Sequence, residues 1–314
     1  MPLDADVAEL VAALAASNAP ALSAGTVDSA RANYVAAPRP EPDALSHVVD
    51  RVVRHEDREI PVRCYCIEDA PHNRPIIVFA HGGGWVLSSV DGHDHVARRL
   101  ALTTGALVVS VEYRLAPEHP FPAAHDDCWA VYTTLLTDGA TWGGDPHRIV
   151  VAGDSAGANL AAGVGLRARD QSISPVAQIL IYPCIDVNQD PYRSMRDNAS
   201  GYFLTAADMT WFWGHYLGTS PDVRTNPYAV PAQSQDLAGL PPTLVITAEF
   251  DPLRDEGQAF ATRMAADGVT VEHWDIPGVI HGFIARWHQI SRAETVHNDI
   301  GTWFTRHVHS QHND

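Results

Sequence analysis

Lysine is missing from this chain of 314 residues, so its 21 Lys+Arg positions are all arginines. That absence excludes mechanisms that need a lysine amine, among them Schiff-base chemistry, lysine-bound pyridoxal phosphate, a Ser-Lys dyad and a P-loop lysine. Acidic residues number 38, and the formal net charge is −17. Nucleic acid and anionic membrane surfaces are therefore not expected as partners.

Cysteine is scarce, and long apolar runs are lacking. Four cysteines in a chain of this length do not indicate a disulfide framework, and we interpret them as buried free thiols. No run approaches the length of a membrane-spanning helix. The first 19 residues predict an amphipathic helix and not a secretory signal, because they carry acidic side chains and no early positive charge. These features favour a cytoplasmic location.

The apolar pattern predicts an α/β protein with a central, mostly parallel sheet flanked by helices. Hydrophobic residues make up 46% of the chain, and β-branched runs alternate with helical patterns after residue 70. The predicted strands are Ile76–Ala80, Ala106–Val111, Ile149–Ala152, Ala177–Tyr182, Leu244–Thr247 and Val269–Ile276. The predicted helices cover residues 93–104, 123–137, 156–169 and 254–267. Two earlier runs, His47–Arg54 and Ile60–Ile67, alternate and predict an antiparallel pair at the sheet edge.

This rhythm breaks in residues 185–235, which are rich in Asp, Asn, Pro and aromatic residues. An insertion at this point would lie over the carboxyl ends of the strands, where ligands bind in open α/β folds. We therefore expect a helical cap made of N-terminal helices (residues 1–45) and the insertion (185–235). The catalytic domain would then comprise residues 46–184 and 236–314.

A nucleophile is predicted at Ser155. The run Gly-Asp-Ser-Ala-Gly at residues 153–157 follows a β-branched strand and precedes a helix, which is the context that a G-x-S-x-G nucleophile elbow requires. The glycines remove Cβ atoms that would clash in so tight a turn. The alternative interpretation is a glycine-rich strand–helix turn with an N-cap serine.

An oxyanion hole is predicted after the strand that ends at residue 80. The next residues, His-Gly-Gly-Gly-Trp at 81–85, contain three glycines that cost backbone entropy and contribute no packing. Backbone N–H groups that approach a reacting oxygen explain them better than a flexible linker does. We assign the hole to the amides of Gly82, Gly83 and Ala156, with Gly84 as the alternative to Gly82.

The acid and the base of a triad are predicted at Asp251 and His281. Each follows a strand-like run, and the chain order Ser…Asp…His is the order used by α/β hydrolases. Among 17 histidines, His281 is preferred over His273 and His288 because of its position after the last strand.

No metal site is expected. His93 and His95 flank Asp94 in a pattern that suggests metal ligands, but two residues apart on a helix they should not share a face.

Aromatic residues predict the substrate pocket. Trp85 follows the glycines, and further aromatic residues cluster in the insertion, which either form its packing core or contact substrate. The substrate-binding candidates are Trp85, Tyr202, Phe203 and Trp211. A pocket lined in this way suits small apolar or aromatic acyl groups.

These motifs together resemble the hormone-sensitive lipase family of esterases, also called bacterial family IV. The resemblance rests on the two glycine motifs and on Tyr-Arg-Leu-Ala-Pro-Glu (113–118), Phe-Pro-Ala-Ala (121–124), Asp-Pro-Leu-Arg-Asp-Glu-Gly (251–257) and His-Gly-Phe (281–283). It covers about residues 45–305. It implies an α/β-hydrolase fold, hydrolysis of small-molecule carboxylic esters with short acyl chains, no cofactor, a helical cap and frequent homodimers.

Two other functions stay open at this stage. Amide or carbamate hydrolysis uses identical machinery. A non-catalytic small-molecule receptor could use the same fold, although such a receptor would be expected to have lost a member of the triad.

Overall fold

Eight strands form one sheet in the computed structural model, which describes residues 2–17, 20–36, 40–67 and 73–309. The strands are β1 (His47–His55), β2 (Arg58–Cys66), β3 (Arg74–Ala80), β4 (Leu107–Val111), β5 (Gly144–Asp154), β6 (Ala177–Ile181), β7 (Thr243–Phe250) and β8 (Val271–Ile280). Their order in the sheet is β1-β2-β4-β3-β5-β6-β7-β8. β1 pairs antiparallel with β2, and β2 with β4, while the remaining neighbours are parallel. The predicted fold class, including the antiparallel edge pair, is confirmed.

Helices cover both faces of this sheet. They are α1 (Ala5–Ala16), α2 (Val27–Ala36), α3 (Val90–Thr104), α4 (Ala123–Asp138), α5 (Ala156–Asp170), α6 (Ser194–Asp197), α7 (Ala206–Leu217), α8 (Arg254–Ala266) and α9 (Ser291–Phe304). Because side chains alternate along a strand, Ile76 and Val78 of β3 enter one buried apolar cluster, and Ile77 and Phe79 enter the other. None of the helices in the described ranges has the length and apolarity needed to cross a membrane.

The last strand is longer than its sequence pattern indicates. Pro277 and Gly278 predict a loop, but β8 continues through them to Ile280 and so ends directly before His281. Gly278 adopts a φ of +75°, and the pairing of β8 with β7 shifts register between Ala248 and Phe250. The strand accommodates Pro277 and Gly278 through this local irregularity and does not end there. His281 therefore lies at the edge of the sheet.

The start of the chain is attached to the end of this strand. The backbone N–H of Asp4 donates to the carbonyl of Gly278 at 2.9 Å, and the Asp4 carboxylate pairs with Arg292 of α9 at 2.6 Å. The Asp6 carboxylate accepts a hydrogen bond from the amide of Ser291 at 2.9 Å. The N-terminal helix therefore lies against the segment that carries His281.

The segment 185–235 contains α6, α7 and two 3₁₀ turns, Pro221–Thr225 and Pro231–Gln233. Helix α7 begins with a capping box in which Thr205 and Asp208 satisfy each other's backbone amides. Asp208 also accepts a hydrogen bond from the amide of Ser23 at 2.8 Å, which ties α7 to the N-terminal region. The boundaries of a cap domain stay a prediction.

Candidate active site

Ser155 occupies a strained turn between β5 and α5. Its φ of 55° and ψ of −119° lie in a region that side-chain-bearing residues rarely adopt. A Cβ atom on Gly153 would overlap the backbone of Gly157, and one on Gly157 would overlap the carbonyl group of Ala80. The amide of Ser155 donates to the carbonyl of Ile181 at 2.8 Å, so the turn is held against the neighbouring strand β6.

The three predicted triad residues meet at the carboxyl ends of the strands. His281 Nε2 lies 3.0 Å from Ser155 Oγ, and His281 Nδ1 lies 2.6 Å from Asp251 Oδ2. Asp251 has no exposed surface, and its other carboxylate oxygen accepts the amide of Leu253 at 2.9 Å. Asp251 therefore accepts the Nδ1 proton, and the lone pair of Nε2 faces the serine hydroxyl.

The glycine loop differs from the prediction at Gly82. The amide of Gly82 donates to Asp154 Oδ1 at 2.8 Å, and Gly82 is not among the residues that line the cavity above Ser155. Gly83 and Gly84 do line this cavity, and their amides have no acceptor within the described part of the chain. The assignment of Gly82 is therefore wrong, because the carboxylate of Asp154, next to the nucleophile, accepts the hydrogen bond of its N–H group.

The amides available to an oxyanion are thus those of Gly83, Gly84 and Ala156. Ala156 is the first residue of α5, where backbone N–H groups have no acceptor within the helix. Gly83 and Gly84 have φ values of +123° and +62°, and a Cβ atom on Gly84 would overlap the ring of Phe212. A glycine is required at both positions for the loop to bring its amides to the nucleophile.

Comparison with known proteins agrees with this geometry. A family model described as the alpha/beta hydrolase fold matches residues 77–285. The chain belongs to the α/β-hydrolase family. It is 42% identical over 229 residues to the carboxylesterase NlhH of Mycobacterium tuberculosis, which covers 72% of each protein. It is 34% identical to the ethyl acetate hydrolase of Pseudomonas putida, over 81% of this chain and 80% of that protein.

A solved structure supports the same assignment. The hyperthermophilic esterase from the archaeon Pyrobaculum calidifontis superposes with a TM-score of 0.89 at 37% identity, over 98% of this chain and 99% of that one. The resemblance to the hormone-sensitive lipase group is confirmed, and this hydrolase is a carboxylic ester hydrolase.

Asp154 is a part of the hydrolase site that the sequence analysis did not single out. The residue is 4% exposed, and its Oδ2 lies 3.4 Å from both His93 Nε2 and the Tyr182 hydroxyl. Burial favours the neutral acid, but His93 and the amide of Gly82 outweigh it and hold the pKa of Asp154 below its usual value. The only sequence signal was its place beside the nucleophile.

His93 and His95 both line the cavity of the hydrolase, contrary to the expectation from helical spacing. Their ring centroids lie 6.3 Å apart. His93 Nδ1 is 2.8 Å from Ser88 Oγ, so both ring nitrogens of His93 face protein groups, Ser88 and Asp154.

Of the four predicted substrate-binding residues, the structure places only Phe203 in the cavity lining. Trp85 is fully buried and stacks on Tyr216 at a centroid distance of 4.1 Å. Tyr202 packs near Phe250, and Trp211 packs edge-on against Phe212 and His215. The structure therefore does not support Trp85, Tyr202 and Trp211 as substrate-binding residues, because their rings pack against other side chains outside the cavity lining.

The cavity above Ser155 has an empty volume of about 860 Å³, which includes the part that opens to solvent. Its wall comes from the N-terminal segment, the glycine loop, α3, the ends of β5 and β6, the insertion and the residues from His281 onward. Lining residues from these regions include Tyr34, Leu87, Leu204, Phe212, Ala285 and Arg286. Phe212, another aromatic residue of the insertion, lies against Gly84 and lines the cavity, although the sequence did not distinguish it from its neighbours.

Proposed function

We propose that this esterase hydrolyses short-chain or small aromatic carboxylic esters with Ser155 as nucleophile, His281 as general base and acid, and Asp251 as the group that orients His281. The observation that carries the proposal is the pair of hydrogen bonds, 3.0 Å and 2.6 Å, that join the three side chains beside unpaired backbone amides.

The first half of the reaction forms an acyl-enzyme. His281 Nε2 takes the proton of Ser155 as Oγ attacks the ester carbonyl carbon. The carbonyl oxygen becomes an alkoxide, which accepts hydrogen bonds from the amides of Gly83, Gly84 and Ala156; each such donor typically contributes about 10²–10³ in rate. Collapse of this intermediate breaks the bond to the alcohol oxygen, which leaves with the proton from His281.

The second half releases the acid. Water enters, His281 takes one of its protons, and the resulting nucleophile attacks the acyl carbon of Ser155. A second alkoxide forms in the same hole and collapses, and the proton returns to Ser155 Oγ. Asp251 stays ionised throughout and stabilises the imidazolium that forms twice.

The preference for small acyl groups is supported by two features. Phe203 and Phe212 bring aromatic surface close to Ser155. A relative that covers four fifths of the chain is named for a two-carbon acyl ester. A cytoplasmic location and a homodimer stay predictions.

Ser155→Ala tests the proposal. The variant should lose hydrolysis of p-nitrophenyl acetate, and a fluorophosphonate probe should label the wild-type protein at Ser155 alone, as located by mass spectrometry. Ser110→Ala is the matched control, since Ser110 is a buried serine of β4 away from the cavity. Wild-type turnover in Ser155→Ala, or a label on another residue, refutes the assignment. A series of p-nitrophenyl esters with increasing acyl length tests the size preference, which a maximum at long chains contradicts.

A further inference from the structure

Arg286 is a charged group in the wall of the cavity that the reaction described above does not use. It ends the 3₁₀ turn Phe283–Arg286, which follows His281, and it lines the same cavity as Ser155. Its guanidinium carbon lies over the ring of Phe203, 4.9 Å from the centroid. A contact of this kind with an aromatic face does not neutralise the charge of the guanidinium.

Within the part of the chain that the structure describes, no protein group matches the charge of Arg286. Across the described ranges, no carboxylate lies within ion-pair distance of Arg286 and no acceptor receives its N–H groups. Several arginines elsewhere are paired with carboxylates, among them Arg31 with Glu118, Arg114 with Asp127 and Arg254 with Asp275. In a chain with 38 acidic residues, a guanidinium that lines the cavity and has no carboxylate partner among the described residues is available to a substrate.

The other described residues of the lining supply no compensating anion. Asp154 is the one carboxylate among the described residues that line the cavity, and it is already bound by the amide of Gly82 and faces His93 and Tyr182. Burial lowers the pKa of Arg286, and the hydroxyls of Tyr34 and Tyr182 oppose the shift. Because arginine stays charged in proteins, the cavity holds a permanent positive charge.

We propose that Arg286 binds a carboxylate on the substrate, so that the enzyme prefers esters that carry a second, ionised carboxyl group over neutral esters of the same shape. A guanidinium group presents paired N–H donors that match the two oxygens of a carboxylate. Half-esters of dicarboxylic acids and acyl esters of hydroxy acids are the two classes that contain both an ester and a free carboxylate. The inference rests on the proposed function, since it concerns the substrate of the same Ser155.

Two matched substrate pairs test the inference. The first compares monoethyl adipate with ethyl adipamate, in which a carboxamide replaces the carboxylate on the acyl side. The second compares the acetate esters of 4-hydroxybutanoate and 4-hydroxybutanamide, which place the same change on the alcohol side. The wild type should show a carboxylate-to-carboxamide ratio of kcat/KM of about ten or more in at least one pair, as expected for a charge-assisted hydrogen bond. The pair that shows the preference identifies the half of the substrate that faces Arg286.

The variants separate recognition from packing. Arg286→Gln should lower the ratio to near one, and Arg286→Lys should retain part of it. Arg224→Gln is the control, because Arg224 is exposed and lies outside the cavity lining. This variant loses the same charge, but its carboxylate-to-carboxamide ratio of kcat/KM should equal that of the wild type. Active-site titration with a fluorophosphonate normalises all rates to folded enzyme.

Three results would overturn the inference. One is a wild type that cleaves the carboxamide esters as fast as the carboxylates, and another is an unchanged ratio in Arg286→Gln. The third is no cleavage of any of the four esters by a wild type that still cleaves p-nitrophenyl acetate. Each of these leaves the proposed function intact, whereas a wild type inactive on p-nitrophenyl acetate itself contradicts the proposed function.

Discussion

Replacement of Asp251 by Asn is the sharpest test of the proton relay. One carboxylate oxygen accepts the Nδ1 proton of His281 at 2.6 Å, and the other accepts the amide of Leu253 at 2.9 Å. An asparagine has only one acceptor oxygen for these two donors. If its NH₂ faces His281, the imidazole proton moves to Nε2 and the lone pair that Ser155 needs is lost. If its NH₂ faces Leu253, two donors meet in a fully buried site.

The magnitude follows from the same contacts. Loss of the correct tautomer in a relay of this kind lowers kcat by about 10⁴-fold, which corresponds to about 5 kcal/mol in activation free energy. The assay is steady-state hydrolysis of p-nitrophenyl acetate, with active enzyme counted by fluorophosphonate titration and folding checked by thermal unfolding. Asp255→Asn is the control, because Asp255 accepts one backbone amide, that of Ser194, and contacts neither His281 nor Ser155. A loss of less than about tenfold in folded Asp251→Asn would refute the role given to Asp251.

Three further variants test the surroundings of the site. Gly84→Ala should lower kcat on p-nitrophenyl acetate by about 10²–10³-fold. The φ of +62° at Gly84 and the ring of Phe212 leave no room for a methyl group, so the loop must shift and move the amide of residue 84 away from the oxyanion. An unchanged kcat argues against that amide as a donor. Trp85→Ala should lower the free energy of unfolding in urea by about 3–5 kcal/mol with little change in KM, since Trp85 is fully buried but outside the cavity. A raised KM without loss of stability would instead indicate that Trp85 contacts the substrate. Glu118→Gln should destabilise at pH 7 by no more than about 1 kcal/mol, because Glu118 is half exposed. The hydrogen bond with Arg31 lowers the pKa of Glu118 to about 2, so its contribution to the free energy of unfolding is complete above the ordinary value of 4.5 and disappears as the pH falls toward 2. A difference in unfolding free energy between wild type and variant that grows on acidification contradicts this prediction.

The triad was accessible from the sequence because each member follows a strand. Parallel strands end at one edge of the sheet, so Ser155, Asp251 and His281 could be placed together without knowledge of any distance. Most element boundaries were recovered for a related reason, since strands buried on both faces are apolar throughout. The local turn signal of Pro277 and Gly278 misled because pairing with β7 outweighs local preference.

The wrong predictions concern the orientation of backbone amides and side chains, which only tertiary packing determines. Three glycines in a row offer three amides, and the sequence does not reveal that Asp154 occupies the first of them. Trp85 has a φ of +60°, which turns its side chain onto Tyr216 in the interior. That Arg286 has no carboxylate partner among the described residues is likewise not deducible from a sequence, because ion pairs join residues from distant parts of the chain.

The bond between the beginning of the chain and its last strand has a consequence for biosynthesis. Asp4 leaves the ribosome before Arg292, with which it pairs and which lies 288 residues further along. The emerging polypeptide must therefore hold α1 undocked until α9 has been translated, and the segment that carries His281 is anchored only then. Esterase activity should consequently be absent from every stalled translation product that ends before α9.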